Sequence, residues 1–162
     1  MKINVFRIDD RLIHGQIVTA WIAYANAKKI VVADDKAAKD EFQKSLLRMA
    51  TPKTIELDIL TLDEAKEALN NGDDTPILLL VRGPVEALQI IDSCEGVTSI
   101  NVGNLNMKKG KTKVLDNMYL FPEDAKAFYD LADKGIETEV RVVPNDRSQA
   151  VLPLIEKAGF TK

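Results

Sequence analysis

Short aliphatic and β-branched runs alternate along the chain with longer stretches in which apolar side chains return every three or four positions. Seven of the runs read as strands: "INVF" at 3–6, "KIVVA" at 29–33, "IELDIL" at 55–60, "PILLLV" at 76–81, "VTSINV" at 97–102, "MYLF" at 118–121 and "TEVRVV" at 138–143. The unbroken apolar run from Ile77 to Val81 predicts a strand buried on both faces, as parallel strands under helices must be. The mixed "TEVRVV" predicts an edge. Strands and helix-period segments in strict alternation predict an α/β fold: one domain over residues 1–162, with a mostly parallel open sheet of about seven strands and helices on both faces.

The intervening helices have recognisable ends. "GQIVTAWIAYANA" at 15–27 is the first of them. Thr61 with Glu64 forms a capping box ahead of "LDEAKEALNNG", which Gly72 closes. Pro84 opens "PVEALQIIDSC" and Pro122 opens "PEDAKAFYDLADKG", at first-turn positions where a missing N–H costs nothing, and Gly135 supplies a left-handed stop. In "DRSQAVLPLIEKAG" at 146–159, Pro153 predicts a kink or a late start. Ile17, Trp21 and Tyr24 share a helical stripe and are expected in the core. No repeat or linker divides the chain.

Composition narrows the function classes. The formal net charge of -3 gives no electrostatic footprint for nucleic acid or for an anionic lipid surface. The single cysteine, Cys94, excludes an internal disulfide and a cysteine-held metal cluster, and it fits a reducing cytoplasm. At the end of an apolar helix it is expected to be a small buried hydrophobe. No run approaches the roughly 20 apolar residues of a membrane span. No dinucleotide fingerprint occurs, and the phosphate-loop look of "KKGKT" at 108–112 fails because Leu105 stands where that motif needs glycine. Neither a cofactor nor a metal is expected.

The only histidine, His14, lies in "RIDDRLIHGQI", the loop between the first strand and the first helix. Open α/β sheets bind ligands at the carboxyl ends of their strands, and a helix N-terminus favours a bound anion. Arg11, three residues earlier, can clamp phosphoryl oxygens with a planar fork. A neutral imidazole keeps a lone pair near pH 7, so His14 is suited to accept a phosphoryl group, although the same position suits a histidine at a helix cap. Asp9 and Asp10 either orient the imidazole and hold Arg7 and Arg11, or are solvated. Arg82 in "VRGP" and Gly103 and Asn104 in "VGNLN" are placed near the loop by topology, and a plain turn role fits them equally.

"RIDDRLIHGQIVTAW" resembles the signature of the enzyme IIB component of the mannose/fructose/sorbose family of the bacterial phosphoenolpyruvate-dependent sugar phosphotransferase system. The similarity continues through "VVADD", "LLLVRGP" and "INVGNLN", over essentially the whole chain. The resemblance implies that His14 is the phosphorylated intermediate, with Nδ1 as acceptor, and that Arg11 binds the phosphate; Asp10, Gly15 and Gln16 match neighbouring loop positions of the site. It implies a IIA protein as phosphodonor, membrane IIC and IID components that hold the sugar, and a cytoplasmic location at the inner face of the membrane. The sugar and the oligomeric state are left open. The alternatives are a receiver-like aspartyl phosphoacceptor with an acidic pair after its first strand, for which "IELDILT" offers only Asp58 inside a strand, and a non-catalytic regulatory domain of the same fold.

Overall fold

The computed structural model describes all 162 residues. The apolar runs do form strands: β1 (Lys2–Ile8), β2 (Lys29–Ala33), β3 (Glu56–Leu60), β4 (Pro76–Val81), β5 (Ser99–Val102) and β8 (Glu137–Val140), with β9 (Gln149–Ala150) at the end. They make one seven-stranded sheet in the order β3-β2-β4-β1-β5-β8-β9, parallel throughout except for β9 against β8. β6 (Thr112–Leu115) and β7 (Met118–Leu120) form a separate antiparallel hairpin. The helices are α1 (Gly15–Ala25), α2 (Asp35–Ala38), α3 (Glu41–Ala50), α4 (Leu62–Asn71), α5 (Pro84–Ile90), α6 (Pro122–Asp133) and α7 (Val151–Lys157).

Both sheet faces are covered, as the apolar character of β4 requires. On one face α4 to α7 pack residues such as Leu62, Ile90, Phe128 and Ile155 against Phe6, Ile8 and Leu79. On the other, α1 to α3 bring Val18, Trp21, Ala37 and Leu47 against Ile30, Leu78 and Leu80. The parallel register sets Ile8 beside Val81 and Val102, and Val81 beside Ala33. The loops that follow β1, β2, β4 and β5 therefore open at one edge.

Four expectations need correction. "MYLF" lies outside the main sheet: it pairs with Thr112–Leu115, which the sequence reading did not mark as a strand. The seventh place belongs to Gln149–Ala150, inside the expected last helix, so α7 starts only at Val151 and Pro153 falls in its first turn, where its missing N–H needs no acceptor. β8 is not itself the edge that "TEVRVV" predicts, because β9 pairs antiparallel along its outer side; Gly72 closes α4 as expected, and a side chain there would lie 2.6 Å from the Met1 nitrogen and 2.8 Å from the Ala68 carbonyl oxygen. Tyr24 is largely exposed, touching Trp21 only edge-on, while Trp21 is buried. Tyr24 borders a small cleft beside Thr98, Ser99 and Asn101, where the second helical layer does not reach.

Other endings hold. Gly135 follows α6 with φ +82, and the Thr61/Glu64 capping box is formed in both directions. α2 and α3, which the reading passed over, start at Asp34 and Asp40, whose carboxylates accept amide hydrogen bonds of their first turns. Gly110 leads into β6 rather than a helix, so "KKGKT" has no phosphate-loop architecture.

Candidate functional site

The site grows out of the end of β1. The Asp9 N–H still donates to the Val81 carbonyl at 3.0 Å, and the chain then turns, with the Leu12 N–H on the Asp9 carbonyl at 3.0 Å. Leu12 adopts φ +57, a costly conformation for a side chain with a Cβ. Burial of Leu12 and Ile13 in the core under α1 holds the turn in place. The result sets His14 at the N-cap of α1 with extended backbone and its side chain 20% exposed.

Asp9 is the hub. Fully buried, its carboxylate accepts from Arg7 Nη2 at 3.1 Å, from the Arg11 backbone N–H at 3.1 Å and from Arg11 Nε at 3.3 Å, and His14 Nε2 lies 3.2 Å from its Oδ2. Burial alone would raise its pKa, but the His14 contact, the Arg7 charge and the Arg11 hydrogen bonds outweigh burial and hold it at about 2. An ionised carboxylate only accepts hydrogen bonds, so the network assigns the ring proton of neutral His14 to Nε2. The lone pair is then on Nδ1.

Arg7 supports the hub from below. It is buried, donates to the Asn101 side-chain oxygen and to the Arg141 and Val142 carbonyls at 2.9 and 3.2 Å, and lies 4.8 Å from the Trp21 ring centroid. Burial lowers its pKa to about 10 against the opposing pull of Asp9, so it stays charged at neutral pH. The same carbonyl of Val142 accepts from Trp21 Nε1 at 2.8 Å. The Arg141 N–H still donates to the Val102 carbonyl at 3.0 Å, but the Arg141 and Val142 carbonyls are taken by Arg7, Asn101 and Trp21 instead of a strand partner, and β8 ends at Val140 and not at Val143.

Asp10 faces elsewhere. Its carboxylate accepts from the Asn106 backbone, from Asn106 Nδ2 at 2.9 Å and from Asn104 Nδ2 at 3.3 Å, so it ties the histidine loop to the loop after β5. Arg82 donates to the Asp10 carbonyl at 3.2 Å while holding Asp34 with Nε and Nη2 at 3.1 and 2.9 Å. Arg82, Gly103 and Asn104 thus all border the loop. A Cβ on Gly103 would lie 2.1 Å from Arg7 Nη2 and 2.6 Å from Asp9 Oδ2; close approach, not turn geometry, requires glycine there.

At the start of α1 no side chain caps the helix and no acid lies in its first turn. The first helical bond runs from Val18 to the His14 carbonyl at 3.3 Å, so the amides of Gly15, Gln16 and Ile17 are free for an anion. Gly15 adopts φ +39 with open space around it, and the Gln16 side chain is exposed. Arg11 is partly exposed, and its contacts with Asp9 leave Nη1 unpaired. The structure therefore joins Arg11 and His14 through one Asp9 carboxylate, places Gly15 and Gln16 at the helix start that follows, and leaves Asp10 as a tie between loops. The sequence reading did not single out Asn101, Asn106 or Asp34. A polar residue inside the apolar run "SINV" was the available signal for Asn101.

No three His, Cys, Asp or Glu side chains come together to hold a metal ion. Cys94 is buried, and burial pushes its thiol up to about 12. Asp58 sits in the middle of β3, paired with Lys29 at 3.1 Å. Two strands separate β3 from β1, unlike the receiver arrangement, in which the second and third strands flank the first.

Comparison with known proteins adds an independent line. Residues 3–162 match the family model described as PTS system sorbose subfamily IIB component. The chain is 32% identical to the sorbose-specific EIIB component of Klebsiella pneumoniae, over 99% of each sequence. It is 33% identical to the mannose-specific EIIAB component of Escherichia coli (strain K12), covering 97% of this chain and 49% of that longer protein. The crystal structure of the IIBSor domain of the sorbose permease from Klebsiella pneumoniae superposes with a TM-score of 0.94, over 99% of this chain and 100% of that one, at 32% identity.

Proposed function

The chain belongs to the sorbose subfamily of IIB components of the PTS, a sugar phosphotransferase system, and from that membership we propose that it is a phosphohistidine carrier with His14 as the covalent intermediate. In the first step the P–N bond of a phosphohistidine on a IIA protein breaks and a P–N bond to Nδ1 of His14 forms. In the second that bond breaks and a P–O bond forms to a sugar hydroxyl, whose proton leaves to solvent. The sugar is held by membrane IIC and IID components, and the carrier works at the cytoplasmic face beside them. No helix of its own is long and apolar enough to cross a membrane.

The observation that carries this reading is the buried Asp9 carboxylate 3.2 Å from Nε2 of His14. It fixes the tautomer with Nδ1 nucleophilic, fixes the ring orientation, and stabilises the positive charge the ring gains as the phosphoryl group arrives. Arg11 and the free amides of α1 compensate charge on the three equatorial oxygens of a loose transition state. Gly15 and Gln16 lie at those amides. Asp10 contributes by fixing the loop rather than by touching the phosphoryl group. The link to a IIA donor is supported by the EIIAB name of one relative. Similarity singles out no one sugar: relatives named for sorbose and for mannose are almost equally similar to this chain.

The test is phosphoryl transfer from phosphoenolpyruvate to the purified protein through the general phosphotransferase proteins and a mannose-family IIA protein, followed by intact mass and peptide mapping. One acid-labile, base-stable phosphate on His14 is expected, and none in His14→Ala. A phosphate elsewhere, or unchanged uptake by His14→Ala, would overturn the assignment. No uptake from a IIA protein active on another IIB would favour a regulatory role.

A further inference from the structure

The helix α3 turns an apolar stripe to solvent. Phe42, Leu46 and Met49 recur at one-turn spacing and are 75%, 49% and 82% exposed, while only Leu47 on this helix is fully buried. Single exposed apolar residues are ordinary, but three of the five large ones in the whole chain lie on this one ten-residue helix. None of them touches the histidine loop, and the proposed chemistry does not use them.

The stripe is self-complementary. Two copies of α3 packed antiparallel about a two-fold axis would set Phe42 of one copy against Met49 of the other, twice over, with the two Leu46 side chains near the axis. The charges follow the same symmetry. Glu41 and Arg48 lie on one flank of the stripe; Arg48 has no acidic partner within its own chain, and Glu41 holds only an exposed contact to Lys44 at 3.5 Å. The antiparallel arrangement brings each Arg48 to the Glu41 of the other copy. We propose that α3 is a self-association face through which two copies of this chain form a two-fold dimer. One short helix per partner is well below the roughly 800 Å² of a standard stable interface, so the dimer is weak and populated only at high protein concentration.

Sedimentation velocity of the purified full chain, from low micromolar to millimolar concentration, is the test. A monomer–dimer equilibrium is expected, weakened by about tenfold or more in Leu46→Glu, which places two like charges near the axis. Glu41→Arg alone is expected to weaken association, and Glu41→Arg with Arg48→Glu to restore it to within about threefold, with helix content checked by circular dichroism. As a check independent of charge, Leu46→Cys should cross-link under mild oxidation and Lys44→Cys, which points away from the stripe, should not. A chain monomeric at every concentration, or a dimer indifferent to Leu46→Glu and to the charge exchange, would overturn the proposal and leave the stripe to a different partner. Phosphoryl uptake by His14 is expected to be unchanged in all of these variants, so failure here and failure of the carrier assignment are separate results.

Discussion

Asp9 determines what its neighbours do, and this was the point the sequence left even. Composition gave Asp9 and Asp10 equal standing, yet the fold buries one beneath the imidazole and spends the other on two asparagines of a neighbouring loop. Nitrogen NMR of neutral His14 should therefore find its proton on Nε2, and a dominant Nδ1–H form would refute the arrangement. In Asp9→Asn an amide can donate to Nε2 and invert the tautomer, so transfer should fall by about a hundredfold or more. Asp9 also links stability to pH. Its folded pKa of about 2 lies below its ordinary value, so it contributes about 2 kcal/mol that is present above the unfolded carboxylate pKa and is lost as pH falls through the folded one. Denaturant titrations of the wild type at neutral and acid pH should record that loss, and its absence in Asp9→Asn assigns it. Arg11→Lys should slow transfer by about tenfold or more in rapid-quench measurements, because a point charge cannot reproduce the planar fork.

At the scale of elements, the strand-end loops interlock through backbone as much as through side chains. Two glycines illustrate different constraints on one edge of the sheet. Gly15 needs a positive φ but has open space, so Gly15→Ala should cost about 1 kcal/mol, a fall in Tm of about 2–4 °C. A Cβ at Gly103 would overlap the Arg7 and Asp9 side chains, and Gly103→Ala should cost about 3 kcal/mol or more, because neither member of a buried ion pair can move away without leaving the other uncompensated. Thermal melts of the two variants side by side decide whether strain or contact governs each position. Sequence made the helix starts legible where Thr61, Pro84 and Pro122 mark them, since capping is local chemistry. It misplaced "MYLF" and the Gln149–Ala150 strand, since a three-residue or two-residue strand carries too little periodicity to declare its partner.

For the whole molecule, two cores share one sheet, and the only tryptophan joins the core under α1 to the site. Trp21 packs under Arg7 and donates to the turn after β8, so its fluorescence should report the same single transition as far-UV circular dichroism on denaturant unfolding. A Trp21 transition preceding the loss of secondary structure would mean that the site edge unfolds on its own. The sequence by itself determined the α/β class, the parallel central strands, the position of the histidine loop and the resemblance to IIB components, because hydrophobic period, capping residues and a contiguous motif are all encoded locally. Tertiary structure alone decided which aspartate meets the imidazole, why Gly103 is glycine, where β8 ends, and that Phe42, Leu46 and Met49 face solvent. Each of these depends on residues far apart in the chain that meet only when the sheet sets its strands side by side, and no local pattern carries that distance.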